Sequence, residues 1–508
     1  MSVLVGLDIG TGGARALAVN ESGEVLAEAS AEYRLTSPRP GWSEQDPEDW
    51  WRAAKEALGI VTAKVQEAGD EIVGLGLTGQ MHGSVFLDAE DKVIRPALLW
   101  NDQRTEAQCR KISEKVGEKH LISIAGNPAL TGFQAPKVLW VRDEEPENYS
   151  RIARVLLPKD YVRLRLTGEY ATDASDASGT LFLDMRTRDW SPKILAALEV
   201  PLEWLPEVHE GHQRTGELQR GVAGELGMPR GVPVAAGGGD NASAAVGTGI
   251  VEEGLASSSV GTSGVLFAAS EAFTPDPSGR LHAFCHAVPE KYHLMGVTLS
   301  AGGSFQWWRG ALNVFGETNF DEMVATASGV VPGAEGLVFL PYLSGERTPH
   351  LDPSARGAFV GLTTRHTASH MTRAIMEGVI YSLRDSLEIM RRLGVPIEQI
   401  RVTGGGARSS LWRQLQADIY NVSIHRTTAD EGPSFGAALL AGVAAGVYAN
   451  VEEASTMVEL RDEITEPDSQ RTEVYGEYYE VYRSLYPAQK EAMHHLTKLA
   501  NMDLHDKA

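Results

Sequence analysis

Val3-Leu4-Val5-Gly6-Leu7-Asp8-Ile9-Gly10-Thr11-Gly12-Gly13-Ala14-Arg15-Ala16-Leu17-Ala18-Val19 opens the chain with two apolar runs joined by a glycine-rich turn. Each run has strand length, and the turn has room for only a few residues, so the pair reads as a tight hairpin. A second turn at Glu21-Ser22-Gly23 leads to a third strand from Glu24, which makes a meander. Trp51, Ala54, Leu58, Val61 and Val65 then recur at helical spacing over Trp50 to Ala68, and strands follow at Ile72 to Leu77 and Ser84 to Leu87. Strands first and alternating helices and strands afterwards predict an α/β lobe.

The opening recurs. Ser259-Val260-Gly261-Thr262-Ser263-Gly264 echoes Asp8-Ile9-Gly10-Thr11-Gly12, and the apolar run Val265 to Ala269 follows it as Arg15 to Val19 follows the first. A period near 250 residues means two lobes of one design rather than a solenoid. The copies differ at their first residue, so only the first offers a carboxylate. Val402-Thr403 leads into Gly404-Gly405-Gly406 and a helix marked by Leu411, Leu415 and Ile419. Phe435 to Ala449 is nearly apolar but too short to span a bilayer, so a buried helix is expected. Glu473 to Leu499 reads as a final helix broken near Pro487, with Tyr475, Tyr478, Tyr479 and Tyr482 as a packing stripe.

Composition narrows the function classes. The 508 residues are 43% hydrophobic and 22% charged, an ordinary globular balance with length for two large lobes. A net charge of −22 excludes nucleic acid and anionic membrane surfaces as expected partners. Cys109 and Cys285 cannot build a disulfide framework, which suits a reducing cytoplasm, and the start of the chain lacks the basic region of a signal peptide.

Several familiar motifs fail. No Gly-Lys dipeptide exists, so there is no Walker-type loop. Gly74-Leu75-Gly76-Leu77-Thr78-Gly79 fits a dinucleotide pattern, but its glycines lie in a strand instead of opening a helix, and an oxidoreductase reading falls with it. His282, Cys285 and His286 lack a fourth zinc ligand and read as core. The chemistry sits instead in the two glycine hairpins. Their backbone N–H groups can wrap phosphates, Thr11 adds a hydroxyl, and Asp8 can hold a hydrated Mg²⁺. Two facing hairpins suggest a triphosphate held between lobes. Gly237-Gly238-Gly239-Asp240-Asn241 lies between a strand and a small-residue helix, and its glycines would let a substrate approach the backbone. Asp240 either caps that helix or serves as a general base, and beside two phosphate hairpins the base is the reading adopted.

On these residues, and on Gln80-Met81-His82-Gly83, Leu98-Leu99-Trp100-Asn101-Asp102-Gln103-Arg104, Gly345-Glu346-Arg347-Thr348-Pro349, Thr403-Gly404-Gly405-Gly406-Ala407-Arg408-Ser409 and Gly432-Pro433-Ser434-Phe435-Gly436, the chain resembles the FGGY family of carbohydrate kinases. The resemblance runs from about residue 3 to 485. It implies two RNase-H-like lobes of the actin–hexokinase–Hsp70 superfamily flanking a deep cleft. The lobes would be 1–246, mainly for sugar, and 247–450, mainly for ATP, with a helical extension at 451–508 packing on them. It implies ATP and Mg²⁺ as cofactors, a small sugar as partner, and leaves a homodimer open. By carry-over Met81, His82, Asn101, Asp102 and Asn241 would bind sugar, with Asp240 as base and Asp8 at the metal. Thr11, Gly12, Gly13, Arg15, Gly261, Thr262, Gly302, Gln306, Gly405 and Ser409 would bind nucleotide. Gly12-Gly13 stands where relatives often carry Thr, Ser or Gln, which would leave the phosphate contacts there to the backbone. The Gln80–Gly83 and Trp100–Asp102 loops imply D-xylulose as acceptor, phosphorylated at its 5-hydroxyl. Another ketose or polyol, such as L-ribulose, is the alternative on the same fold. A non-catalytic ATPase switch is a weaker one, because it needs neither Asp240 nor a sugar loop.

Overall fold

A computed structural model describes residues 1–313, 319–428 and 432–500. The opening meander forms as expected: β1 (Ser2–Ile9), β2 (Gly13–Asn20) and β3 (Val25–Glu32) pair antiparallel in that order. Val3, Leu4, Val5, Leu7 and Ile9 are all fully buried, because β1 has layers on both faces. Helix α1 (Pro47–Glu67) begins three residues before the apolar pattern does. Asp46 accepts the Glu48 N–H and Pro47 fills the first turn, a start signal independent of periodicity. Strand β4 (Glu71–Gly79) lies parallel to β1. After a long excursion the chain returns as β5 (Arg214–Glu217), β6 (Pro233–Ala235) and β7 (Gly238–Gly239), followed by helix α2 (Asp240–Gly247). The sheet order is β5-β6-β4-β1-β2-β3, with β7 on β4.

The second copy builds a second sheet from β8 (Gly254–Val260), β9 (Gly264–Ser270), β10 (His282–Cys285) and β11 (Tyr292–Thr298). Helix α3 (Gly302–Leu312) and the long helix α4 (Ala368–Arg392) come next, followed by β12 (Ile397–Gly404), α5 (Ser410–Tyr420) and β13 (Ser423–Arg426). Its order is β10-β11-β9-β8-β12-β13. Strand β8 runs antiparallel to β9 and parallel to β12, as β1 does to β2 and β4. The repeat read from two turns is therefore a repeat of whole sheets.

Helix α6 (Gly432–Ala444) answers to the expected buried helix. The sequence division assigns it to the second lobe, yet Phe435, Ala438 and Leu439 share a core with Leu4, Leu17 and Val19 of the first sheet and with Ala242 and Val246 of α2. Contact this close depends on missing side chains. A Cβ on Gly76 would lie 1.9 Å from the Ala437 carbonyl oxygen, and one on Gly436 would lie 1.8 Å from that of Ser243. The apparent dinucleotide glycines thus belong to helix-on-strand packing.

Helix α7 (Ser469–Ala500) continues through Pro487 instead of breaking there. Proline removes one helical donor, but buried side chains anchor the helix on both sides of it. Tyr475, Tyr479 and Tyr482 bond to Arg373, Asp385 and Tyr342, and beyond them the Tyr486 hydroxyl and the His494 imidazole meet the Asp352 carboxylate. Residues 501–508 of the predicted extension lie outside the described residues. Among those described, no helix is long and apolar enough to cross a membrane, and Cys109 and Cys285 are buried free thiols.

Candidate active site

Strand β4 brings the two aspartates together. Asp8 and Gly238 both register with Thr78, one on each side, so Asp8 and Asp240 flank the carboxyl end of the same strand. Gly237 has φ +78, and a Cβ on it would sit 1.7 Å from the Leu77 carbonyl oxygen. Beside Gly238 stand Ser243 and Ser175, and beside Gly239 stands Met81. The triple glycine is therefore needed for protein packing. The Gly239 N–H donates to Ser175 Oγ at 3.1 Å, the Ser175 hydroxyl donates to Asp173, and Lys159 holds Asp173 at 2.8 Å. That chain fixes the loop ahead of Asp240.

Asp240 is the first residue of α2, and Gly239 occupies the cap position. Its Oδ1 accepts the Asn241 backbone N–H at 2.7 Å and the Asn241 Nδ2 at 2.9 Å. Burial raises its pKa to about 6 against those two bonds. Asp8 rises to about 7, first through burial and then through the Asp240 charge, with Arg15 opposing. Asp8 Oδ1 is buried without a hydrogen-bond partner. An orphaned carboxylate oxygen beside a second carboxylate suits a hydrated divalent cation, which takes one or two protein ligands and keeps water and phosphate for the rest. Among the described residues no group of three or more His, Cys, Asp and Glu exists that could cage a metal.

A cavity of about 230 Å³ opens between the two sheets. Met81, His82, Trp100, Asp240 and Asn241 line it from the first half, and Ser263, His282 and Arg347 from the second. The His82 Nδ1 is 2.6 Å from the Gly179 carbonyl oxygen, so Nδ1 carries the proton and Nε2 is left as an acceptor. Burial lowers its pKa to about 3, which keeps the ring neutral. Lys137 fixes that loop from behind by donating to the carbonyls of His82 and Gly132 at 2.8 and 2.6 Å.

In the first hairpin the Thr11 hydroxyl accepts the Trp100 Nε1–H at 3.0 Å and the Thr11 carbonyl accepts from Gln45 at 2.7 Å, while Arg15 pairs with Glu28 at 2.6 Å. Gly12 faces open space and Gly13 already belongs to β2. The second hairpin is tied to the start of α3: Gly302 donates to the Gly261 carbonyl at 2.8 Å, and Ala301 and Gly303 both donate to that of Thr262 at 3.0 Å. Gln306 is exposed on α3, Gly405 is exposed after β12, and the Ser409 hydroxyl caps α5.

Asp102 stands apart from the cavity. It is fully buried, accepts the Ser43 N–H at 2.6 Å and chelates Arg104, whose guanidinium lies 3.6 Å from the Trp42 ring centre. Its neighbour Trp100 reaches the cavity, and the Asn101 Oδ1 is buried without a partner. Asp102→Ala is expected to lower stability by about 3 kcal/mol, the low end for orphaning a buried charge, since Glu44 still pairs with Arg104. Denaturant melts and acceptor KM on the same variant separate this anchoring role from direct acceptor contact, which would raise KM in a protein of normal stability. Sequence reasoning gave no role to Arg347, although it quoted the motif around it, and assigned His282 to the core.

Residues 3–247 match the N-terminal domain model of the FGGY family of carbohydrate kinases, and residues 256–445 match the C-terminal one. The chain is 44% identical to the xylulose kinase of Escherichia coli (strain K12), covering 95% of this chain and 98% of that protein. It is 42% identical to the xylulose kinase of Klebsiella pneumoniae, covering 96% and 99%. A solved structure of a "xyloylose kinase" from Brucella ovis superposes with a TM-score of 0.91 at 40% identity, covering 96% of this chain and all of that one.

Proposed function

Because the chain belongs to the FGGY family of carbohydrate kinases, we propose that it transfers the γ-phosphoryl group of ATP to the 5-hydroxyl of D-xylulose. The products are D-xylulose 5-phosphate and ADP. The observation that carries this reading is Asp240, a half-buried carboxylate lining a sugar-sized cavity that also touches Ser263 of the second glycine hairpin. Phosphoryl transfer needs positioning and charge neutralisation more than covalent help. His82, Met81 and Asn241 hold the acceptor. Asp240 takes the proton of the attacking hydroxyl, and backbone N–H groups of the two hairpins offset charge on the phosphates. Thr11, Gly12, Gly13 and Arg15 flank the phosphates on one side, and Gly261, Thr262, Gly302 and Gln306 on the other. Gly405 and Ser409 border the adenosine. Mg²⁺ fits at Asp8, with Asp240 nearby, where it would supply positive charge to the β- and γ-phosphates. Closure of the halves around the cavity would keep water from competing as nucleophile.

Coupled ADP release across ketoses, polyols and aldonates tests the acceptor. D-xylulose should give the highest kcat/KM, and a higher value for glycerol, L-ribulose or gluconate overturns the choice.

The raised Asp240 pKa sets a pH dependence. A buried acid whose pKa is lifted from 3.8 to about 6 keeps its proton until higher pH, so the base is lost as pH falls through about 6. The kcat/KM for the sugar should fall about tenfold per pH unit below that point. A profile flat down to pH 4.5 would contradict the role.

A further inference from the structure

Arg347 is the one cationic side chain among the residues lining the cavity. No hydrogen bond or ion pair to its guanidinium is present among the described residues. Its charged neighbour is Glu346, and that carboxylate is already engaged. Glu346 accepts from the Thr298 hydroxyl at 2.6 Å, the Leu299 N–H at 3.1 Å, the Ser382 hydroxyl at 3.1 Å and the Arg347 N–H at 2.7 Å. These bonds clamp the backbone at Arg347 and leave its half-buried guanidinium available to whatever fills the cavity. A cationic donor that has no protein partner and faces a cavity is placed to meet a ligand.

The other polar groups at that end are acceptors. Asn127 donates its Nδ2 to the carbonyls of Ala125 and Ala283, which makes its Oδ1 the acceptor facing His282 Nδ1 at 2.9 Å. His282 therefore carries its proton on Nδ1 and offers Nε2 as a lone pair, as His82 does. Arg347 lowers the pKa of both imidazoles by its charge but leaves no mark on Asp240, which puts it at the histidine end of the cavity, away from the reacting hydroxyl.

We propose that Arg347 donates to the carbonyl oxygen of an open-chain ketose while His82 and His282 accept from its hydroxyls, so that the second half of the molecule selects ketoses over the corresponding polyols. The inference rests on the cavity being the sugar site. A carbonyl oxygen is acceptor-only and matches a donor-only guanidinium. The reduced sugar brings an added hydroxyl proton to that point, where the nearby acceptors, His82 and His282, are already engaged by its other hydroxyls, and sites built on such matching reject the mismatch by about 10–100-fold.

The test compares D-xylulose with xylitol as acceptors, by kcat and KM, in the wild type and in Arg347→Gln and Arg347→Lys. Wild type should prefer the ketose by at least about tenfold in kcat/KM. Arg347→Gln should raise the D-xylulose KM about 10–100-fold while xylitol changes less, so that the ratio collapses toward one, and Arg347→Lys should restore part of it. An unchanged ratio in a folded variant, or a loss confined to kcat, overturns the proposal. So does a wild type that uses both acceptors equally, a result that needs no variant to fold. Failure to phosphorylate D-xylulose at all would count against the function proposed above, whereas phosphorylation with an unaltered ratio counts against Arg347 alone.

Discussion

Asp240→Asn is expected to give a folded protein that binds sugar and ATP yet transfers phosphate on the order of 10²–10⁴ times more slowly. The spread reflects a loose phosphoryl-transfer transition state, in which the attacking hydroxyl needs to lose its proton only late. The local geometry makes the variant a clean one. Gly239, not Asp240, is the cap of α2, and the contacts that Asp240 Oδ1 accepts, both from Asn241, can be kept by an amide oxygen. What asparagine cannot do is accept a proton. Thermal melts should move little while kcat collapses. Wild-type kcat in Asp240→Asn would end the general-base assignment and reopen the reading of a nucleotide-driven switch.

Asp8→Asn is expected to lower Mg·ATP-dependent turnover by about 10²–10³, with sugar affinity by calorimetry close to wild type. Asp8 lies one residue before the end of β1, beside the first hairpin, and does not line the acceptor cavity. The same variant carries a stability prediction of opposite sign. Asp8 has its folded pKa raised to about 7, so the folded state holds a proton that the unfolded chain releases near 3.8. The wild type therefore loses stability as pH rises between those values, and above pH 7 it carries the full cost of a buried charge. Asparagine has no such charge, so without divalent cation the variant should melt higher than wild type at pH 8. A lower melting temperature, or lost sugar binding in a folded variant, would contradict this placement of Asp8.

The fold was legible where strand length and turn chemistry agree. Val3 to Val19 contains a complete hairpin, and the echo at Gly261-Thr262 revealed the second sheet. Helix α6 was legible as buried, but not as a partner of the first sheet. That depends on the fit of Gly76 and Gly436 against carbonyls distant in sequence. Pro487 misled because a local rule about one lost donor was outweighed by tyrosines bonded to another layer. Within the site, Asp8 and Asp240 were readable from their glycine turns, whereas their nearness follows from a shared register on β4 that no local pattern carries. Asp102 and His282 were read the other way round from where the fold puts them. Asp102 is consumed by Arg104, and His282 is buried yet turned to the cavity, a distinction set by Asn127 across 155 positions of chain.

The central claim is that phosphate leaves ATP for one particular sugar hydroxyl. It is tested most directly by phosphorus–proton correlation NMR on the product formed from ATP and D-xylulose. A phosphomonoester coupled to the methylene that itself couples to a neighbouring CHOH proton, formed mole for mole with ADP, identifies the 5-position and is the predicted result. Inorganic phosphate beside unmodified sugar would contradict the claim, as would a phosphoester on the isolated methylene next to the ketone.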